Sequence, residues 1–219
     1  MPAVIDTVIM DLDGPVLDGR LRHYACYRDI LTERGLTPLA EDRYWDMKRN
    51  RVDRRRQLAA TGAERLYDEF LAAWLARIES ERYLALDRLQ PGAVPKLDEW
   101  RNQGIRLLLV TMRHNRETLL RQLDALDLRA RFDAVQSVDP TAPDAGKADA
   151  IRPYLDTGSA KRALWIGDTE VDIRAARLVG ATACAVTCGL RTEEYLASLS
   201  PDLVVRDVAE ISLHAMEVQ

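Results

Sequence analysis

The chain lacks what a membrane span, a disulfide scaffold or a nucleic-acid surface requires. Its 219 residues include only three cysteines, three histidines and two phenylalanines. The cysteines Cys26, Cys184 and Cys188 are odd in number and irregularly spaced, which excludes a disulfide framework. Cys184 falls in an apolar stretch, residues 181–187, and reads as a buried thiol. No apolar run approaches the ~20 residues that cross a bilayer. Where a secretory signal would be basic and then apolar, the chain opens on a strand-like run, so a cytoplasmic protein with no membrane partner is expected. A net charge of −4 gives no general attraction for nucleic acid. His23, His114 and His214 are scattered, and no histidine or cysteine cluster competes for a transition metal. Each is expected to be exposed or locally hydrogen-bonded. Internal repeats and low-complexity tracts are also missing.

What the chain does have is alternation. Short apolar runs at residues 4–10, 105–111, 134–138, 163–166, 181–187 and 203–205 are separated by helical patterns, the signature of a parallel sheet covered on both faces. Such sheets bind ligands at the carboxyl ends of their strands. The first run delivers Asp11 and Asp13, followed by Gly14 and Pro15. Two carboxylates so placed cost stability unless a cation neutralises them, whereas the ordinary reading of Asp and Gly here is a turn or helix cap. The fourth run leads into Gly167, Asp168 and, one helical turn on, Asp172. Between these acid pairs lie Thr111, closing the second run, and Lys147, next to a loop that opens a helix. Alone, they would be a strand-end threonine and a surface lysine. The order acid pair, hydroxyl, lysine, acid pair makes them a candidate site.

In that order and spacing, the four segments resemble the motifs of the haloacid dehalogenase superfamily, in its phosphatase branch, close to the phosphoglycolate phosphatase-like group. Each motif is weak by itself, and the set is specific. The resemblance implies a Rossmann-like α/β core of residues 1–17 and 90–219. It also implies a small all-helical cap, residues 18–89, inserted after the first strand. In that insert the alternation stops, and Tyr24, Tyr27, Ile30 and Leu31, then Leu66, Phe70, Ala73, Trp74 and Ile78, recur at helical spacing. A cap excludes water and chooses the substrate.

The resemblance further implies roles. Asp11 would attack phosphorus and form an aspartyl-phosphate, while Asp13 would serve as general acid and then general base. Thr111 would hydrogen-bond a phosphoryl oxygen, and Lys147 would bring positive charge to it. One Mg²⁺ would be held by the Asp11 carboxylate, the Asp13 backbone carbonyl, Asp168 and waters, with Asp172 acting directly or through water. Asp13 must carry a proton for its first task, and burial beside another carboxylate is expected to raise its pKa. True dehalogenases have no acid at that position, so Asp13 favours phosphate esters. Pro15 stands where the family pattern has threonine. It removes an N–H and a hydroxyl and reads as a stiffened turn.

Specificity would lie in the insert, where residues 48–56 hold six basic side chains in nine positions. The ordinary reading is a solvated face. The sharper one places Lys48, Arg51 and Arg55 on one helical face, binding a second anionic group of the substrate. Arg113 is expected at the same cleft, flanked by Arg20, Arg22, His114 and Asn115. The expected protein is a Mg²⁺-dependent phosphatase of a small phosphorylated metabolite, a monomer or weak homodimer. A phosphomutase and a phosphonate hydrolase remain open; the latter would need a Schiff-base lysine, and Lys48 is the lysine of the insert. A receiver-like protein would leave Asp172 far from Asp11, and a silent relative would only bind a phosphorylated ligand.

Overall fold

A computed structural model describes residues 5–156 and 159–213, so Val4 of the first apolar run and His214 lie outside the described residues. Among the described residues eight strands occur in chain order: β1 (Thr7–Met10), β2 (Leu17–Asp18), β3 (Arg88–Leu89), β4 (Arg106–Thr111), β5 (Ala134–Ser137), β6 (Ala163–Gly167), β7 (Thr182–Val186) and β8 (Leu203–Val205). Six of them form one sheet in the order β5-β4-β1-β6-β7-β8, with every neighbouring pair parallel. Each apolar run of the sequence thus supplies a strand, and β1 sits in the interior of the sheet.

Alternate residues of the central strands serve different cores, because side chains point to opposite faces with a period of two. Val8 and Met10 join Leu107, Leu109, Leu164 and Ile166 on one face. Ile9 joins Leu108, Val110, Trp165 and Ala183 on the other. Strands buried on both sides read as continuous apolar runs, which is why the sequence shows them as blocks. Helices α6 (Ala93–Asn102) and α7 (Arg116–Ala125) cover the first face through Leu97, Trp100, Leu119 and Leu123. Helices α8 (Pro143–Ile151), α9 (Glu170–Val179) and α10 (Glu193–Ser198) cover the second through Ile151, Ile173 and Leu196. Burying each large apolar side chain contributes about 1.5–3 kcal/mol, so the sheet is a rigid platform for whatever its strand ends carry.

Between β1 and α6 the chain makes a helical excursion. It leaves through β2 and returns through β3, which pair antiparallel with Leu17 opposite Leu89. Five helices lie between them: α1 (Arg20–Thr32), α2 (Glu41–Arg49), α3 (Arg54–Ala59), α4 (Tyr67–Arg77) and α5 (Glu81–Leu84). They share a core of their own, including Tyr27, Ile30, Tyr44, Leu58, Phe70 and Trp74. The rings of Tyr27 and Tyr44 stack with centroids 4.3 Å apart. The basic run is not one helix, contrary to the expected common face for Lys48, Arg51 and Arg55. Helix α2 stops at Arg49, Arg51 adopts a left-handed φ of 55°, and the Asp53 side chain accepts from the Arg56 N–H to start α3. Aspartate is a strong N-cap, and here it divides the run into two helices and a turn. Among the described residues no helix is long and apolar enough to cross a membrane.

Candidate active site

The loop after β1 is fixed by its own backbone. The Asp11 N–H donates to the Ile166 carbonyl (3.0 Å), Gly14 N–H donates to the Leu17 carbonyl (2.8 Å), and the Val16 and Leu17 N–H groups both donate to the Leu12 carbonyl. None of these bonds uses the position of Pro15, so the ring costs the turn nothing. Gly14 takes a φ of +96°, and a Cβ there would collide with the Asp168 carboxylate, as would one on Gly189. Glycine is required because a carboxylate occupies the space of the missing side chain.

At the strand ends the predicted acids converge. Asp11 follows β1, Asp168 follows β6, and Asp172 lies in the first turn of α9; oxygens of the three carboxylates lie within 4.8 Å of one another, and all three side chains are buried. Lys147, from α8, is 0 % exposed and donates to Asp172 Oδ1 at 2.7 Å, with Asp11 Oδ2 at 3.0 Å. The Leu12 N–H donates to Asp11 Oδ1 at 2.7 Å, the Leu190 N–H to Asp168 Oδ2 at 2.5 Å, and the Thr169 hydroxyl to Asp172 Oδ2 at 2.8 Å. Burial raises Asp11 to a pKa of about 6; Lys147 opposes the rise, and Asp172 and Asp13 add to it. Burial, with Asp11 and Asp172 beside it, drives Asp168 well above the usual carboxylate range. Burial alone would depress Lys147, yet its two carboxylate partners hold it above an ordinary lysine.

Three carboxylates around one ammonium leave two negative charges in a buried space when all are ionised. That imbalance fits a divalent cation, and an oxygen-only donor set fits a hard one such as Mg²⁺. Thr111, at the buried end of β4, faces the same cavity as Asp11 and Asp168.

Asp13 differs from the expectation of a raised pKa. Arg113 grips it bidentately, Nε to Oδ2 at 2.7 Å and Nη2 to Oδ1 at 2.8 Å, and Arg22 Nη2 donates to Oδ1 at 2.7 Å. Burial does push its pKa up, but the two guanidiniums outweigh it and hold the carboxyl far below its usual range. The sequence-based expectation counted the neighbouring carboxylate and missed two arginines that arrive from elsewhere in the chain. Both arginines also bind Asp87, a fully buried side chain (Arg22 Nε at 2.8 Å, Arg113 Nη2 at 3.0 Å).

Above the acids lies a cavity of about 360 Å³, walled on one side by Asp11, Asp13, Thr111, Arg113 and Asp168 and on the other by His23, Trp45, Arg54 and Trp74 of the helical insert. Asp13 and Asp168 face this one space. The other basic residues of the 48–56 run go elsewhere. Arg51 reaches the core, where Glu170 is 3.3 Å away and the Tyr195 hydroxyl 2.5 Å. Arg49 donates to the Thr187 and Arg191 carbonyls. Arg55 lies over the Tyr67 ring at 3.8 Å. Lys48 stands in the layer behind His23, with Nζ 3.0 Å from Nδ1, and burial among Arg54, Arg191 and Arg22 lowers its pKa well below that of an ordinary lysine. Arg113 lines the cavity with its donors already committed. Arg20 turns away to Glu41 and Asp42, and His114 pairs with Glu79 at 2.8 Å. The residue of the run that does face the cavity is Arg54, which sequence reasoning passed over. Its guanidinium lies 4.5 Å over the Trp74 ring and has no ion pair or hydrogen bond among the described residues.

The family model of haloacid dehalogenase-like hydrolases matches residues 5–180. The chain belongs to that family. Among relatives of this haloacid dehalogenase-like hydrolase, a phosphoglycolate phosphatase of Caulobacter vibrioides is 31% identical, covering 94% of this chain and 88% of its own. A beta-phosphoglucomutase of Bacillus subtilis is 27% identical over 95% of this chain and 92% of its own. A haloacid dehalogenase-like hydrolase from Streptococcus pneumoniae superposes with a TM-score of 0.74 at 22% identity, covering 94% of this chain and 96% of that one. The last likeness is one of fold. With Asp172 beside Asp11 rather than remote from it, the receiver-like alternative also lapses.

Proposed function

We propose that this haloacid dehalogenase-like phosphatase hydrolyses a small phosphomonoester through a phosphoryl group carried on Asp11. The reading rests on one observation: three buried carboxylates within 4.8 Å of one another face a single ammonium at the carboxyl edge of a parallel sheet. The Asp11 carboxylate, oriented by the Leu12 N–H, attacks phosphorus, and the bond from phosphorus to the leaving oxygen breaks. Arg113 and Arg22 hold Asp13 ionised in the absence of substrate, so the proton that this oxygen takes enters with the phosphomonoester monoanion, whose phosphate titrates at about 6, and passes through Asp13 to the leaving oxygen. Water then attacks the aspartyl-phosphate, gives its proton to Asp13, and leaves inorganic phosphate and free Asp11. Lys147 offsets charge at Asp11, and the Thr111 hydroxyl offers a donor to the phosphoryl group. When bound, Mg²⁺ would be held by Asp11, Asp168, Asp172 and the Asp13 backbone carbonyl, and would neutralise phosphoryl charge.

The helical insert acts as the cap in this reading, and Arg54 supplies what Arg51 and Arg55 do not. A half-buried guanidinium on a cavity wall, with no carboxylate partner among the described residues, suits a substrate with a second anionic group. Phosphoglycolate, named for the C. vibrioides relative, has a carboxylate beside its phosphate and belongs first in a substrate panel.

Hydrolysis of p-nitrophenyl phosphate with and without Mg²⁺, beside Asp11→Asn, tests the core of the proposal. The variant should lose about 10⁴-fold or more in kcat, since removal of a nucleophile abolishes the covalent route. A metal-independent rate that the substitution leaves untouched would overturn it.

A further inference from the structure

Asp13, Arg22, Asp87 and Arg113 form a closed ring in which each arginine touches both aspartates. Arg22 spends Nη2 on Asp13 Oδ1 (2.7 Å) and Nε on Asp87 Oδ1 (2.8 Å). Arg113 spends Nε and Nη2 on Asp13, and the same Nη2 reaches Asp87 Oδ2 at 3.0 Å. Gln122 of α7 closes the outer side, donating through Nε2 to Asp87 Oδ2 at 2.8 Å and to the Leu84 carbonyl at 3.1 Å. Of the four ion-ring side chains, only Asp13 is appreciably exposed, at 30 %, and it faces the cavity.

Two features separate this ring from a substrate pocket. Its charges cancel, two against two, so it calls for no external ion. Every Asp87 oxygen is also spent within it. What it does constrain is the plane of the Asp13 carboxylate. Among the described residues no side chain besides these two guanidiniums hydrogen-bonds Asp13, and the loop from Leu12 to Leu17 carries no hydroxyl side chain that could. A guanidinium held at two edges by different carboxylates cannot rotate without breaking charge-assisted bonds. Asp87 therefore fixes Arg22 and Arg113, and they fix Asp13.

The four members also come from both parts of the fold. Arg22 lies in the first turn of α1 and Asp87 just ahead of β3, both within the helical excursion, while Asp13 and Arg113 follow core strands β1 and β4. The ring closes only while the insert is seated on the sheet. We propose that Asp87 is a positioning residue for the reaction: through Arg22 and Arg113 it aligns Asp13 with the leaving oxygen and ties that alignment to the seating of the insert. This rests on the reading of Asp13 as the acid–base group. Asp87 touches neither substrate nor metal.

The test exploits the leaving group. An alkyl alkoxide must be protonated as it departs, whereas p-nitrophenolate leaves without help, so a misaligned acid penalises the first and spares the second. For Asp87→Asn we expect kcat/KM to fall at least 30-fold on the alkyl phosphomonoester that the wild type hydrolyses fastest, starting with phosphoglycolate. On p-nitrophenyl phosphate the fall should stay within threefold, with circular dichroism and the Mg²⁺ half-saturation unchanged. Gln122→Ala, which keeps every ring charge, should show the same bias at two- to fivefold and serves if Asp87→Asn does not fold. Equal losses on both substrates, or no loss, in the variant that folds would overturn the proposal. Asp13→Asn is run alongside. If it too penalises both substrates equally, the assignment of Asp13 as the acid fails; if it is selective and the Asp87 and Gln122 variants are not, only the ring proposal fails.

Discussion

Two four-membered charged clusters meet at the floor of one cavity, and they differ in their sums. Asp11, Asp168, Asp172 and Lys147 gather three acids and one base at the ends of core elements. Asp13, Asp87, Arg22 and Arg113 gather two of each, drawn half from the core and half from the helical excursion. Each has few solvent contacts, so each must settle its charge internally or import it. The first imports and therefore reads as a binding site. The second is closed, and its value lies in what its geometry holds still. Charge balance within a buried cluster thus separates a site that awaits a ligand from one that orients a neighbour.

Lys147→Met would break that contrast most severely. It leaves three buried carboxylates with no protein cation, and losing one partner of a buried pair costs about 3–5 kcal/mol. Urea unfolding without metal should show a loss of that size, and millimolar Mg²⁺ should recover part of it. A variant as stable as the parent without metal would mean that the acids do not share one desolvated space.

The first cluster was legible in the sequence and the second only in part, for a physical reason: Asp13 and Arg113 were expected at the cleft with Arg22 flanking it, but neither Asp87 nor the pairing of the four was. Asp11 and Asp168 each close an apolar block, and a buried parallel strand makes its end predictable. Gly14 and Gly167 mark where carboxylates crowd the backbone. The fold class was readable because every apolar run became a strand of the same sheet. Asp87 and Arg22, by contrast, are single charged residues in helical or linker surroundings, and no periodicity distinguishes them from surface charges. Their role arises from how the insert returns to the sheet, a long-range event. The basic run failed for a local reason: Asp53 caps a new helix, so spacing counted along one helix sent Arg51 and Arg55 to the cleft and overlooked Arg54. Gly189, which packs on Asp168 from a distant loop, carried no readable signal at all.

Acidity sharpens the comparison. Without metal, Asp11 has its pKa raised from 3.8 to about 6 by burial, and Asp168 is raised well above the usual range. A carboxyl whose folded-state pKa is raised stabilises the fold when protonated, so this contribution is present in acid and is lost as pH climbs through about 6. Asp13 behaves oppositely. Held low by Arg113 and Arg22, it contributes at neutral pH and loses that contribution only in strong acid. Mg²⁺ competes with protons at the first cluster alone. The rise in melting temperature on adding Mg²⁺ should therefore be larger at pH 7.5 than at pH 5, approaching the effect of about 2.7 kcal/mol expected at a hundredfold excess over Kd. A shift that is the same at both pH values would detach the metal from Asp11 and Asp168.

The smallest expected effect extends the same reasoning to the opposite wall. Among the described residues Arg54 has no ion-pair or hydrogen-bond partner; it stacks on Trp74 and faces the cavity, so it too has a charge to settle. If a second anionic group of the substrate settles it, Arg54→Gln should raise KM about tenfold for such a substrate, a loss of about 1.4 kcal/mol, and leave p-nitrophenyl phosphate within twofold. Arg51→Gln, which removes a contact from the helical insert to Glu170 and Tyr195, should affect both substrates alike. The pair of variants separates a charge that meets the ligand from one that meets the protein. Equal KM changes for the two substrates with Arg54→Gln would show that the guanidinium supports the Trp74 wall by packing, and that an unbalanced charge on this side of the cavity does not select the substrate.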